Sequence, residues 1–164
     1  MNELIKDLGL LINATLIATP PLLLAALGSC FSERSGVVNI GIEGMMTIGA
    51  FTGAVMGLTT GNGWIAFFCA GLAGALFGLI HAFACISCHA DQTIAGTTIN
   101  FLGPGLALFL CKAMYNNSSD TPAMDPSCKL PKLFEGVFPT GSFWNNVLNV
   151  YAVAYLVFVL AFIC

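Results

Sequence analysis

Three small constellations in the chain carry groups able to do chemistry. Asn39, Glu43 and Thr47 recur at four-residue spacing, which on a helix puts an amide, a carboxylate and a hydroxyl on one face. Thr97 and Asn100 share a helical face in the same way, together with Thr93, Gly96 and Pro104. Such groups can hydrogen-bond the hydroxyls of a sugar or the edge of a base, directly or through water. They can equally brace a broken helix end or a neighbouring helix by satisfying free polar groups there. Both roles, lining a substrate path and bracing, are open for Asn39, Glu43, Thr97 and Asn100. The third constellation, Cys85, Ile86, Ser87, Cys88 and His89, spells C-x-x-C-H. In that pattern two thioethers hold a haem while the histidine ligates its iron. Here it closes a hydrophobic stretch with no globular segment around it, so a membrane-anchored c-type electron carrier stands as the alternative. Zinc held by the same three residues lacks a fourth ligand, and no metal is expected.

The remaining chemistry is sparse. No nucleophile, base and orienter group occurs, and no glycine loop ending in Lys and Ser or Thr cradles a phosphate, so the chain is not expected to be an enzyme or to hydrolyse ATP. His81 interrupts an apolar run, where helix-to-helix hydrogen bonding is its expected role, and Met45 and Met46 are expected to pack.

These residues must be positioned by membrane-spanning elements. Of 164 residues 57% are hydrophobic and only 8% charged, far from the roughly one-quarter charged content of soluble domains. The intervals 8–32, 44–90, 92–111 and 136–164 contain no charge at all. Each is long enough for a helix to cross a hydrocarbon core, which takes about 20 residues, and the second could cross twice. A net charge of -3 and a pI near 5 argue against nucleic acid as a partner. The seven cysteines define no disulfide framework, because Cys30, Cys69, Cys111 and Cys164 lie in or beside apolar runs where a thiol acts as a small hydrophobe. The start MNELIKDLG, with acidic Glu3 and Asp7, fits a retained helix better than a cleaved signal peptide.

Taken in order, the chain predicts an all-α, polytopic membrane helix bundle of about five spans, with 1–164 forming a single membrane-embedded region. The spans are 8–30, 37–58, 64–86, 93–115 and 143–164. Pro20 and Pro21 should kink the first, and Gly61, Asn62 and Gly63 form a turn after the second. Gly49, Gly53 and Gly57 on the second span and Gly74 and Gly78 on the third form stripes for close helix packing. Gly103, Pro104 and Gly105 read as a breaker in the fourth. The segment 116–142, with Pro122, Pro126, Pro131 and Pro139, is a polar loop too hydrophilic to enter the membrane. The fifth run ends with the chain and lacks a closing charged flank, so a sequence cut short is expected.

The run ERSGVVNIGIEGMMTIGAF, from Glu33 to Phe51, strongly resembles the first signature of permease subunits of ABC importers in the nucleoside, simple-sugar and branched-chain amino-acid group, with nucleoside-type permeases the nearest. ADQTIAGTTIN, from Ala90 to Asn100, resembles the second signature. After Lys112 the likeness is one of character only. The resemblance implies the N-terminal half of a permease in a bacterial plasma membrane, with a broken second helix, forming part of a path for nucleosides, sugars or related small polar solutes. It implies as partners a second permease subunit, a cytoplasmic ATPase that holds the ATP and magnesium, an extracytoplasmic substrate-binding lipoprotein and the lipid bilayer. No cofactor would be bound by this chain. Such permeases are about twice as long, so a truncated permease without transport activity is a further alternative. The resemblance puts the N-terminus and loop 116–142 outside and Glu33, Arg34 and the Ser87–Asp91 turn in the cytoplasm. Basic residues argue the reverse: Lys6, Lys112, Lys129 and Lys132 fall on one side and Arg34 on the other.

Overall fold

The computed structural model describes residues 2–123, 130 and 151–163. Its elements are all helical: α1 (Asn2–Arg34), α2 (Ile42–Thr60), α3 (Gly63–Ala82) followed by a π-helical turn (Phe83–Ser87), α4 (Gln92–Met114) and α5 (Ala152–Ile163). Four stretches, Asp7–Arg34, Ile42–Thr60, Gly63–Ser87 and Gln92–Met114, are long and apolar enough to cross a membrane. The chain is an all-α polytopic membrane protein. Residues 143–150 of the fifth predicted span, and most of the 116–142 loop, lie outside the described residues. The described part of that span, 151–163, holds the 12-residue α5.

Two compact units make up the chain, one of Met1–Gly28 with Leu130–Cys164 and one of Ser29–Lys129. In the first, α1 runs on through Pro20 and Pro21, so the expected kink does not end the helix. The hydroxyls of Thr15 and Thr19 donate back to the Leu11 and Thr15 carbonyls at 2.9 and 2.6 Å. A hydroxyl bonded within its own helix leaves no polar group facing lipid.

The second unit carries the candidate site. A turn joins α2 and α3: Gly61 adopts φ +66°, and the Asn62 side chain accepts from Trp64 N at 3.0 Å to cap α3. Asp91 caps α4 by accepting from Thr93 N and Ile94 N at 2.9 and 3.0 Å. These two reversals make α2 and α4 run in the same direction, with α3 antiparallel to both. On α3, Leu72, Leu76 and Leu79 point away from the other helices, as do Phe101 and Phe109 on α4. Large apolar side chains facing outward are what a helix in hydrocarbon requires.

Two expectations need correction. The second span is not helical from residue 37, because α2 begins only at Ile42 and the chain from Gly36 to Gly41 is irregular. Nor does the Gly103, Pro104, Gly105 triplet break α4, which continues through it to Met114. Glycine at 103 is demanded there by contact instead. A Cβ at that position would lie 2.5 Å from the Gly44 carbonyl oxygen and 2.7 Å from Gly44 Cα.

Candidate functional site

The site is organised around the irregular backbone between α1 and α2. α1 ends where Gly36 takes φ +85°, a conformation open to glycine and strained for other residues. Ser32 holds the exit from both sides: its carbonyl accepts from Val37 N at 3.2 Å, and its hydroxyl donates to the Val37 carbonyl at 2.6 Å. Beyond it the chain is tied by side chains from α3 and α4. Gln92 accepts from Val38 N at 2.8 Å and donates to the Gly36 carbonyl at 3.3 Å. His81, only 2% exposed, places Nε2 3.4 Å from the Val38 carbonyl oxygen. Asn100 donates to the Ile40 carbonyl at 2.9 Å and accepts from Gly44 N at 2.8 Å.

This last pair does the work of a helix cap. Gly41, the residue at the start of α2, has no side chain to offer, and Gly44 N is one of the first-turn donors that the helix cannot satisfy itself. Asn100 supplies the missing acceptor from a different helix. Non-helical backbone at membrane depth is tolerated only where protein or water satisfies it, and here Ser32, His81, Gln92 and Asn100 do so.

Glycines let the two helices come close enough for these short bonds. A Cβ on Gly44 would collide with the Ile99 carbonyl, and one on Gly96 would lie 3.0 Å from Gly41 N and from Ile40 Cβ. The sequence reading singled out Gly49, Gly53, Gly57, Gly74 and Gly78 for packing. In the structure Gly49 and Gly53 face Ala70 of α3, and Gly74 and Gly78 lie 3.7 to 3.9 Å from Met45 by the same measure. Gly57 is buried. The tightest approaches are at Gly44, Gly96 and Gly103, which the four-residue stripe passed over because they pair α2 with α4 and not with α3.

The four path candidates are placed as follows. Asn39 is outside α2, so it does not share a helical face with Glu43 and Thr47. Its amide is turned inward, accepting from Gly41 N at 3.1 Å and donating toward Met45 Sδ at 3.5 Å. Glu43 sits in the first turn of α2, exposed. A carboxylate there is favoured by the positive end of the helix dipole, by about 0.3–1 kcal/mol in exposed positions. Thr47 donates to the Glu43 carbonyl at 2.9 Å, and Thr97 donates to the Thr93 carbonyl at 2.7 Å. Asn100 is committed to bracing. Gln92, which carries two of the bracing bonds, was missed by sequence reasoning. A polar residue at the mouth of a span reads as solvated, and its partners lie 54 and 56 residues away.

Between α2 and α4, further along both helices, runs a groove of about 440 Å³. Thr47 and Phe51 line it from α2, Pro104 and Leu108 from α4, and Asp120 and Thr121 from the segment after α4. None of Asn39, Glu43, Thr97 and Asn100 lines it.

The C-x-x-C-H trio is spread out. Cys85 is 8% exposed within the π-helical turn, with Sγ 3.7 Å from His81 Nε2, whereas Cys88 and His89 are exposed and His89 takes φ +52°. No group of three or more metal-ligating side chains occurs among the described residues. A thiol buried against His81 is not presented for thioether formation, so the electron-carrier alternative is set aside.

Comparison with known proteins decides the family. Residues 11–164 match the model of the branched-chain amino acid transport system / permease component family. The chain belongs to that permease family. It is 41% identical over 169 residues to the guanosine ABC transporter permease protein NupQ of Bacillus subtilis, covering 98% of this chain and 52% of NupQ. It is 38% identical to the nucleoside ABC transporter permease protein NupC of Lactococcus lactis, over 69% of this chain and 38% of NupC. It is 46% identical to the putative glucose ABC transporter permease protein TsgC13 of Haloferax volcanii, over 60% of this chain and 30% of that protein. The chain thus spans about half the length, or less, of these curated relatives. No solved structure matches it. The family that matches is one of transport-system permease components.

Proposed function

We propose that the chain forms part of the translocation path of an ABC importer for nucleosides or related small polar solutes such as sugars, in a bacterial plasma membrane. The observation that carries this reading is the 41% identity to a guanosine permease along 98% of the chain. The geometry agrees with it. A helix interrupted near one end of the bundle, held by side chains from two other helices, is an arrangement that can change shape without exposing unsatisfied backbone to lipid. In this reading the chain corresponds to the N-terminal half of a permease. A second permease subunit completes the path, an extracytoplasmic lipoprotein delivers the solute, and a cytoplasmic ATPase holds ATP and magnesium. The N-terminus and the segment after α4 face outward, and Arg34 with the turn after the π-helical segment faces the cytoplasm.

Among the sequence candidates, Glu43 and Thr97 fit a polar lining best. Glu43 lies one turn from Thr47 on α2, and Thr97 lies two turns from Pro104 on α4, so both continue the walls of the groove toward the braced end. Asn39 and Asn100 brace.

The test is uptake of radiolabelled guanosine by cells deficient in nucleoside import that express this chain together with the second permease subunit, ATPase and substrate-binding lipoprotein of a nucleoside importer. Energy-dependent uptake, competed by other nucleosides, is the expected result. Absence of uptake with the chain inserted in the membrane refutes the reading and leaves a permease fragment without transport activity.

A further inference from the structure

The groove between α2 and α4 has two chemically different ends, and nothing in the bracing network uses either. Its walls from α2 and α4 include Phe51, Pro104 and Leu108, an apolar slot with one aromatic side chain. Its mouth is formed by Ser119, Asp120 and Thr121. No basic side chain pairs with the Asp120 carboxylate among the described residues, and the Ser119 and Thr121 hydroxyls make no hydrogen bond there. The backbone of this mouth is nevertheless fixed. Asn116 and Asn117 both take left-handed conformations, Asn117 N returns to the Lys112 carbonyl at 3.0 Å, and Ser118 Oγ bonds both the amide and the carbonyl of Asp120 at 3.2 and 2.8 Å. Asp120 is therefore presented by an ordered turn, with its carboxylate available. At the end of the groove away from that mouth, the Thr47 hydroxyl donates to the Glu43 carbonyl and keeps its lone pairs for an incoming donor.

We infer that this groove is a solute-binding site for a nucleoside, with the base seated in the slot against Phe51 and the ribose hydroxyls donating to Asp120 at the mouth. The inference rests on the transport reading above and deepens it. The volume suits a ligand of this class, since small-molecule sites run from about 300 to 1,000 Å³. The chemistry matches at both ends. A flat base stacks on an aromatic ring whatever its edge pattern, while adjacent hydroxyls are paired donors that suit a carboxylate, which can only accept. Guanine carries N–H donors of its own but has no ribose to span from the slot to the mouth, and a free sugar lacks the face for the slot, so the site favours the two joined. Asp120 and Phe51 are then specificity-determining residues.

The experiment uses the full chain in membranes, with the exposed Cys30 and Cys88 and the loop residue Cys128 replaced (Cys30→Ser, Cys88→Ser, Cys128→Ser) and a reporter at the mouth, Thr121→Cys. Labelling of position 121 by a maleimide is followed with millimolar guanosine, guanine or ribose present. Guanosine is expected to slow labelling, and guanine and ribose to leave it unchanged. Adding Asp120→Asn should weaken the guanosine protection about tenfold, the loss expected for one hydrogen bond to a charged acceptor. Phe51→Leu should reduce it as well, and both variants should insert and be labelled normally without ligand. A reporter at the exposed α2–α3 turn outside the groove lining, Thr60→Cys, should be labelled equally with and without all three ligands. Failure of guanosine to protect position 121, or protection unaltered by Asp120→Asn and Phe51→Leu, overturns the site. Guanosine uptake that survives both substitutions overturns the site while leaving the transport reading standing.

Discussion

Replacing Asn100 with leucine isolates the cap that α4 provides for α2. The two side chains are close in volume, so the packing of α4 is kept, but both bonds go: the one accepted from Gly44 N at 2.8 Å and the one donated to the Ile40 carbonyl at 2.9 Å. A net hydrogen bond contributes about 0.5–1.5 kcal/mol, and a buried group left without a partner costs about 1–3 kcal/mol. Measured side-chain bonds inside membranes average nearer 0.6 kcal/mol, because the unfolded chain in the membrane also finds partners. Gly44 is buried while the Ile40 bond is exposed, so the expected loss is about 1–3 kcal/mol, mostly from the orphaned Gly44 N–H. Stability is read from denaturant titration in mixed micelles, and local opening from amide exchange of the 36–44 peptide. Asn100→Leu should lower the first by that amount and raise the second sharply, while exchange across α3 stays slow. Thr97→Val is the control: it removes only a hydroxyl bonded within its own helix, and its cost should stay within about 0.5 kcal/mol. Equal stability of Asn100→Leu and the parent, with unchanged exchange at 36–44, refutes the cap.

Other substitutions probe the rest of the arrangement. Gly103→Ala drives a Cβ into the backbone of Gly44, which no rotamer change relieves, so it should cost about 1–3 kcal/mol or more and lower the yield of folded protein, whereas Gly105→Ala, with nothing within 4 Å, should be nearly neutral. Gln92→Leu removes both bonds to Gly36 and Val38 and should raise amide exchange of the 36–41 backbone, an effect visible by exchange mass spectrometry. Glu43→Gln keeps the shape of an exposed first-turn side chain, so stability should change by less than about 1 kcal/mol. Guanosine uptake should fall if Glu43 lines the path, and unchanged uptake would exclude that role. In intact cells a membrane-impermeant maleimide should label Thr121→Cys and spare the native, exposed Cys88, and the reverse pattern would invert the proposed orientation.

Much of this protein was legible from its sequence, for one physical reason. A bilayer admits only helices with internally satisfied backbones, so charge-free runs of the right length declare the spans without reference to any contact. The turn at Gly61, Asn62 and Gly63 and the lipid-facing leucines follow from local chemistry in the same way. What the sequence could not reveal is where α2 begins. Placing Asn39, Glu43 and Thr47 on one face assumed a helix from residue 37, and periodicity has meaning only inside a helix. The break from Gly36 to Gly41 persists because Gln92, His81 and Asn100, 43 to 60 residues away, take over the hydrogen bonds that a helix would have made for itself. Local propensity cannot anticipate partners that only folding brings near. Tertiary structure alone decided that Asn100 is a cap, that Gly44 and Gly103 must lack side chains, and that a groove with one aromatic wall and one acidic lip lies beside them. Sequence set the medium and four of the crossings; contact between helices set what each polar residue does there.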